Sequence, residues 1–288
     1  MSRGFRKGDR IRHPRLEEWG VGEVLENGIG GTVRAFFVGA GERKLSLAHV
    51  RPELVQGEEA AHPVLDNLMQ RAAIDKSRYK GIEQSRQFFL GEFPDGFHGE
   101  RYLDTERNYK DKAARLAAEL FDRDESLRLL KAGDHGEICA RARKLVNATN
   151  LIFPNEKMAL KDGLAEAEAE KDFARTLLAL LFGEAAIERR FTDFVRVLER
   201  IDAAKWTTAT YFSYFVHPQE HMFVKPIITQ HAAEVCGFEI NYKPLPNWGT
   251  YSAVLRLSRY LYDELAALKP RDLIDVQSFM WCVAPGKY

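Results

Sequence analysis

Between residues 9 and 47, apolar and polar positions alternate with a period of two, in short runs broken by glycine. Asp9–Pro14, Gly20–Glu26, Thr32–Phe37 and Arg43–Leu47 each read as a strand, with Asn27-Gly28 and Gly39-Ala40-Gly41 supplying turns. Strands this short do not stand as isolated hairpins. A closed or nearly closed five-stranded barrel over residues 1–57 buries their edges. Gly57–Pro63 is polar and ends in proline, as a linker would. Beyond it the period changes to about 3.6, so residues 63–288 are expected to be helical.

In that second part, Pro63–Phe89 reads as one or two helices with Val64, Leu65, Leu68, Met69 and Ala72 on one stripe. Gly91–Gly99 is an irregular loop. Thr105–Leu120 is amphipathic: Tyr109, Ala113, Leu116 and Leu120 share one side, and Arg107, Lys110, Lys112 and Arg115 form a charged stripe expected to face water. Asp134-His-Gly-Glu137 has capping-box spacing. Glu166–Phe182 is a long helix ended by Gly183, and Phe191–Ile201 repeats the pattern. No fixed period recurs, which argues against a solenoid. The expected class is α+β, a small N-terminal β-barrel followed by a larger all-α domain.

Composition narrows the picture. The chain has 288 residues, 45% of them hydrophobic and 29% charged, enough apolar material for real cores and against long disorder. Formal net charge is zero, so any nucleic-acid site must be a local patch. Cys139, Cys236 and Cys282 are far apart and form no CxxC pair; they read as reduced, buried thiols. The basic start, Met1 to Arg10, has no apolar run behind it, and no stretch of ~18 apolar residues occurs. A cytoplasmic protein without a membrane partner is expected. No P-loop, dinucleotide fingerprint or nucleophile elbow supports a small-molecule enzyme.

The N-terminal run Gly8-Asp9-Arg10-Ile11-Arg12-His13-Pro14, followed by Trp19-Gly20-Val21-Gly22-Glu23-Val24, Val33–Phe37 and Leu45-Ser46-Leu47, resembles the Tudor-like or SH3-like module of bacterial DNA-repair helicases. Related barrels occur in RNA-polymerase-binding regulators. Leu16-Glu17-Glu18 widens one loop relative to that pattern. The resemblance covers about the first fifth of the chain. It implies an SH3-like barrel that docks to nucleic acid, RNA polymerase or a helicase. Arg3, Arg6, Lys7, Arg10, Arg12 and Arg15 are then either a phosphate-facing strip or a solvated sheet edge.

Residues 205–288 are rich in aromatics beside polar groups. Lys205-Trp206-Thr207-Thr208 opens a helix stopped at His217-Pro218, Met222–Pro226 leads into the next, and another begins near Trp248. This order is similar to the C-terminal half of helix-hairpin-helix DNA glycosylases, in which such a helix start receives a DNA phosphate. Free amides at a helix N-terminus suit a phosphate independently of any family. Two departures stand out. Ile201-Asp202-Ala203-Ala204 replaces the glycine-rich hairpin, and Lys225 takes the place of the family's aspartate.

Base excision needs a carboxylate to stabilise a developing cation, or an amine to attack the anomeric carbon. It also needs an aromatic pocket with hydrogen-bonding edges. Asp275, in the apolar run Leu273–Trp281, is the carboxylate candidate; the alternative is a capping or salt-bridged aspartate held by Arg271, and Asp272 fits an N-cap. Lys225, between Val224 and Pro226, is a nucleophile, a phosphate contact or a carboxylate's partner. Tyr242, Trp248 and Tyr251 stack on a base or belong to the core. His217, His221 and His231 match no compact zinc motif, so neither metal nor cofactor is expected. The residues point to a protein acting on duplex DNA, a glycosylase for a modified or damaged base in repair or in defence against foreign DNA. A non-catalytic adaptor or sensor is the alternative.

Overall fold

A computed structural model of the chain describes residues 4–28, 31–69 and 81–288. Arg3 and Ala72 lie outside the described residues. Two compact units emerge, Met1–Glu92 with Gln230–Ile240, and Phe93–Thr229 with Asn241–Tyr288. The expected boundary at residues 57–63 falls within the first of them.

The first unit holds a five-stranded antiparallel sheet, β1 (Arg10–Arg12), β2 (Val21–Val24), β3 (Thr32–Phe37), β4 (Gly41–Ser46) and β5 (Glu53–Leu54), in the order β4-β3-β2-β1-β5. Among the described residues β4 and β5 do not pair, so the sheet is open and the expected closed barrel is not formed. One face buries Ile11, Val24, Val33, Ala35, Phe37 and Leu45, with Trp19 and Phe5 against them. The alternation Val33, Ala35, Phe37 is what places these side chains together.

Phe36, on the opposite face of β3, is also buried, at 1% exposure. Gly237 explains it. A Cβ there would stand 2.7 Å from the tip of the Phe36 ring, and the residue has φ +65°. Only glycine meets both demands. Around it, Met69 N–H donates to Gly237 O at 3.1 Å and Glu239 N–H to Asn67 O at 2.7 Å, so residues 230–240 are stitched to this unit by backbone bonds. The stretch Pro63–Phe89, expected to form one or two helices, holds α1 (Pro63–Asp66) at its start and α2 (Gly81–Glu92) at its end, the latter running on into the expected Gly91–Gly99 loop.

In the second unit α3 (Glu100–Tyr102) runs through a π-turn at Leu103–Arg107 into α4 (Asn108–Leu120). Then come α5 (Arg123–Ala132), α6 (His135–Asn147), α7 (Pro154–Gly163), α8 (Ala167–Phe182), α9 (Ile187–Arg200) and α10 (Trp206–Val216). α11 (Pro226–Cys236) passes into the first unit at Gln230, and α12 (Trp248–Glu264) and α13 (Leu273–Cys282) belong to the second. Asp122, Asp134, Asn247 and Asp272 each cap a helix by accepting a first-turn N–H. Gly183 ends α8 with φ −71°, not in a left-handed turn; a Cβ there would lie 2.5 Å from Ala179 O. Close approach to the helix end is its reason.

Trp206 to Phe215 is buried at every position, which makes α10 a central helix. It packs on α4, α8 and α9, with Phe212 edge-on to Phe121, Phe173 and Phe194. No helix among the described residues is long and apolar enough to cross a membrane.

Candidate functional site

The charged stripe of α4 does not all face water. Arg107 is 5% exposed and Lys110 is 1% exposed. The π-turn ahead of Asn108 widens the helix there, and each of these cations meets acids or amides supplied by α13. Arg107 donates to both oxygens of Asp272 and to Asp275 Oδ1, and its Nε donates to Asp111. Its guanidinium is held still further above its already high range by these acids, against the effect of burial.

Asp275, wholly buried, also accepts from Tyr102 at 2.7 Å and from the Arg271 backbone and side chain. Burial alone would raise its carboxyl; the Arg271 hydrogen bonds and the Arg107 charge outweigh that and hold it below its ordinary value. A carboxylate with this many donors is an ionised structural anchor.

Beside this network lies a concavity of about 660 Å³, within the range of small-ligand sites. Three segments build it. Thr105, Glu106, Tyr109 and Lys110 come from the π-turn and the start of α4, and Thr149, Asn150 and Leu151 from the α6–α7 loop. Gln277 and Trp281 come from α13, four residues apart and so on one helix face. Thr149 is fixed by the Tyr211 hydroxyl at 2.7 Å and by Lys157 on its carbonyl.

Lys225 completes the wall. It directly precedes Pro226, the first residue of α11, and its carbonyl accepts the Thr229 N–H at 2.8 Å. Its ammonium lies 4.8 Å from the Trp281 ring centroid and 5.7 Å from that of Phe153. Among the described residues no carboxylate lies within ion-pair reach of it. Lys287 covers Trp281 as well, at 4.3 Å. Burial, and then the Lys287 charge, push the Lys225 amine below the ordinary lysine range. The cavity thus sets a half-desolvated amine, with no carboxylate partner among the described residues, against an aromatic wall.

Of the two catalytic candidates, then, the structure brings Lys225 to the cavity and keeps Asp275 out of it. The nucleic-acid candidates are dispersed. Lys205 is exposed ahead of α10, but Trp206, Thr207 and Thr208 are buried, with the Trp206 indole bonded to Lys243 O. Tyr251 is stacked on Phe191 at 4.5 Å, and Trp248 packs on the same pair. Arg271 is engaged with Asp275 and Phe97 O. In the first unit Arg10 is paired with Glu23 and Asp66, whereas Arg12 pairs with Glu59 in an exposed position where exchange for another anion costs little.

Glu106, Tyr109, Lys110, Asn150 and Gln277 were not singled out by the sequence. The available signals were the four-residue spacings Glu106–Lys110 and Gln277–Trp281. The described residues hold no cluster of His, Cys, Asp and Glu fit for a metal ion. No family model, curated protein or solved structure matches the chain.

Proposed function

We propose that this chain acts on DNA and that the cavity beside α13 receives an extruded nucleobase, making the protein a DNA glycosylase for a modified or damaged base. The observation that carries the reading is the unpaired Lys225 amine set against Trp281 in a concavity lined by hydrogen-bonding side chains. A flat ring needs an aromatic wall and polar edges; Tyr109 and Trp281, the latter with Lys225 and Lys287 over its ring, supply the wall, and Gln277 and Asn150 the edges.

Lys225 in its neutral form attacks the anomeric carbon of the sugar. The glycosidic C–N bond breaks, the base leaves with its electron pair and takes a proton from water, and the amine loses a proton to water. Opening of the sugar ring then gives an iminium on Lys225. The lowered amine pKa favours the neutral nucleophile. Asp275 holds α13 in place.

The N-terminal sheet, in this reading, is a Tudor- or SH3-like module that docks the protein to duplex DNA, to RNA polymerase or to a helicase in the cytoplasm. Its support is the antiparallel strand order and the exposed Arg12. One observation favours a non-catalytic sensor instead: the carboxylate of the cavity, Glu106, has its oxygens engaged by Lys110 and Tyr288.

Incubation with duplexes carrying modified bases, followed by alkali, tests excision; borohydride tests the iminium by reducing it to a stable protein–DNA adduct. Base release with trapping, both lost in Lys225→Ala, supports the glycosylase. Tight, salt-dependent binding without release from any substrate supports the sensor.

A further inference from the structure

Lys110 spends all three of its N–H donors inside the protein, on Glu106 Oε2 at 3.4 Å, Gln277 Oε1 at 3.1 Å and Ser278 Oγ at 2.8 Å. Burial lowers the Lys110 amine, and the Glu106 carboxylate paired with it opposes that and keeps the charged form; an ammonium can only donate, so the atom of the Gln277 amide that faces it is the oxygen. The flipped amide would set two N–H groups against a buried cation. Ser278 cannot take over, because its own hydroxyl proton goes to Ile274 O at 2.9 Å.

The Gln277 NH2 group is therefore turned away from Lys110. Among the described residues it has no acceptor, although the residue is only 2% exposed. It is also not among the enclosed polar atoms left unsatisfied, so the small area it keeps open belongs to the cavity that Gln277 lines. The Glu106 carboxylate adds no open acceptor, since its oxygens are occupied by Lys110 and Tyr288. Asn150 is exposed and has no side-chain partner among the described residues, so its amide can match either edge.

Resting on the base-accepting reading above, we infer that the cavity selects rings whose edge presents carbonyl oxygens over isosteric rings that present amino groups, with Gln277 as the reading side chain and Lys110 as the positioning residue that fixes it as a donor. Hypoxanthine and uracil belong to the favoured class, adenine and cytosine to the disfavoured one. An amino group directed at the Gln277 NH2 leaves two donors facing each other without water, the kind of mismatch that binding sites reject most strongly.

The test uses the full chain and short duplexes with one extra, unpaired nucleotide, so that no base pair must first be broken. Deoxyinosine is compared with deoxyadenosine at the bulge, and deoxyuridine with deoxycytidine. The oxo member of each pair should bind about tenfold tighter. Gln277→Glu, which keeps the Lys110 contact but presents acceptors, should remove or reverse the preference. Lys110→Met should bring each ratio towards one by weakening the oxo member more than its amino counterpart, whereas a merely structural role would weaken both equally and leave the ratio unchanged. Equal binding within both pairs by the unaltered protein, with the bulged duplexes still preferred to plain duplex, overturns the carbonyl selection alone. No preference for any bulged duplex over plain duplex overturns it together with the base-accepting reading.

Discussion

Arg107 holds Asp272 through two parallel hydrogen bonds, 2.6 Å to Oδ1 and 2.7 Å to Oδ2, from a side chain that is 6% exposed. The same guanidinium reaches Asp275 at 3.0 Å, so one fork neutralises both the cap and the first-turn acid of α13. Arg107→Met leaves those carboxylates buried without it. A loss of about 3–5 kcal/mol in unfolding free energy is expected, read from urea midpoints. Arg107→Lys recovers only part, since an ammonium lacks the planar fork. An unchanged midpoint in Arg107→Met would sink this account.

His221 is buried at 6% exposure, with Nδ1 3.2 Å from the Tyr251 hydroxyl. Burial, reinforced by His217 and Arg190, takes its imidazole down to about 4 from an ordinary 6.5. The unfolded chain therefore binds the extra proton between those values and the folded chain does not. Stability from this residue is complete above pH 6.5 and is lost as pH falls towards 4, by roughly 3 kcal/mol. Urea titrations from pH 4 to 7 should show that slope, and His221→Gln should flatten it.

Gly237 and Gly133 both sit at positive φ, +65° and +78°, but only Gly237 is crowded. Gly133→Ala meets open space and should cost about 1 kcal/mol, the left-handed penalty alone. Gly237→Ala adds the collision with Phe36 and should cost about 3 kcal/mol. Equal losses in thermal or urea unfolding would show that Phe36 yields freely.

The Lys225 amine is depressed partly by its neighbour Lys287. In protein whose lysines carry 13C-methyl labels, its resonance should titrate below the ordinary 10.5. Lys287→Ala should move that midpoint up, and Glu156→Gln, which removes an opposing charge, should move it down. A midpoint insensitive to both changes would mean that neither charge reaches the amine.

Much of this fold is written locally. Two-residue alternation marks β1 to β4, and the 3.6-residue pattern marks α8 and α9 to within a few residues. The two-residue β5 is too short to show a period. Residues 230–240 look like any helix end, because what ties them to β3 is the absence of a side chain at Gly237. Lys225 was legible from its apolar neighbours. Lys110 and Gln277 were not. Each alone is an ordinary polar residue, and only a pairing across 167 positions makes one a lock for the other. Asp275 drew notice for its apolar setting, but its partner Arg107 was hidden in a stripe that resembled a wet helix face.

The first unit is discontinuous, since Gln230–Ile240 rejoins Met1–Glu92 after the intervening chain. On the ribosome, its sheet must wait for about 140 further residues, roughly seven to thirty seconds at ~5–20 residues per second. Throughout that interval the face of β3 that bears Phe36 has no cover from Gly237. The nascent chain thus carries an unfinished first unit, with the Phe36 face of β3 uncovered, until Gln230–Ile240 has been made.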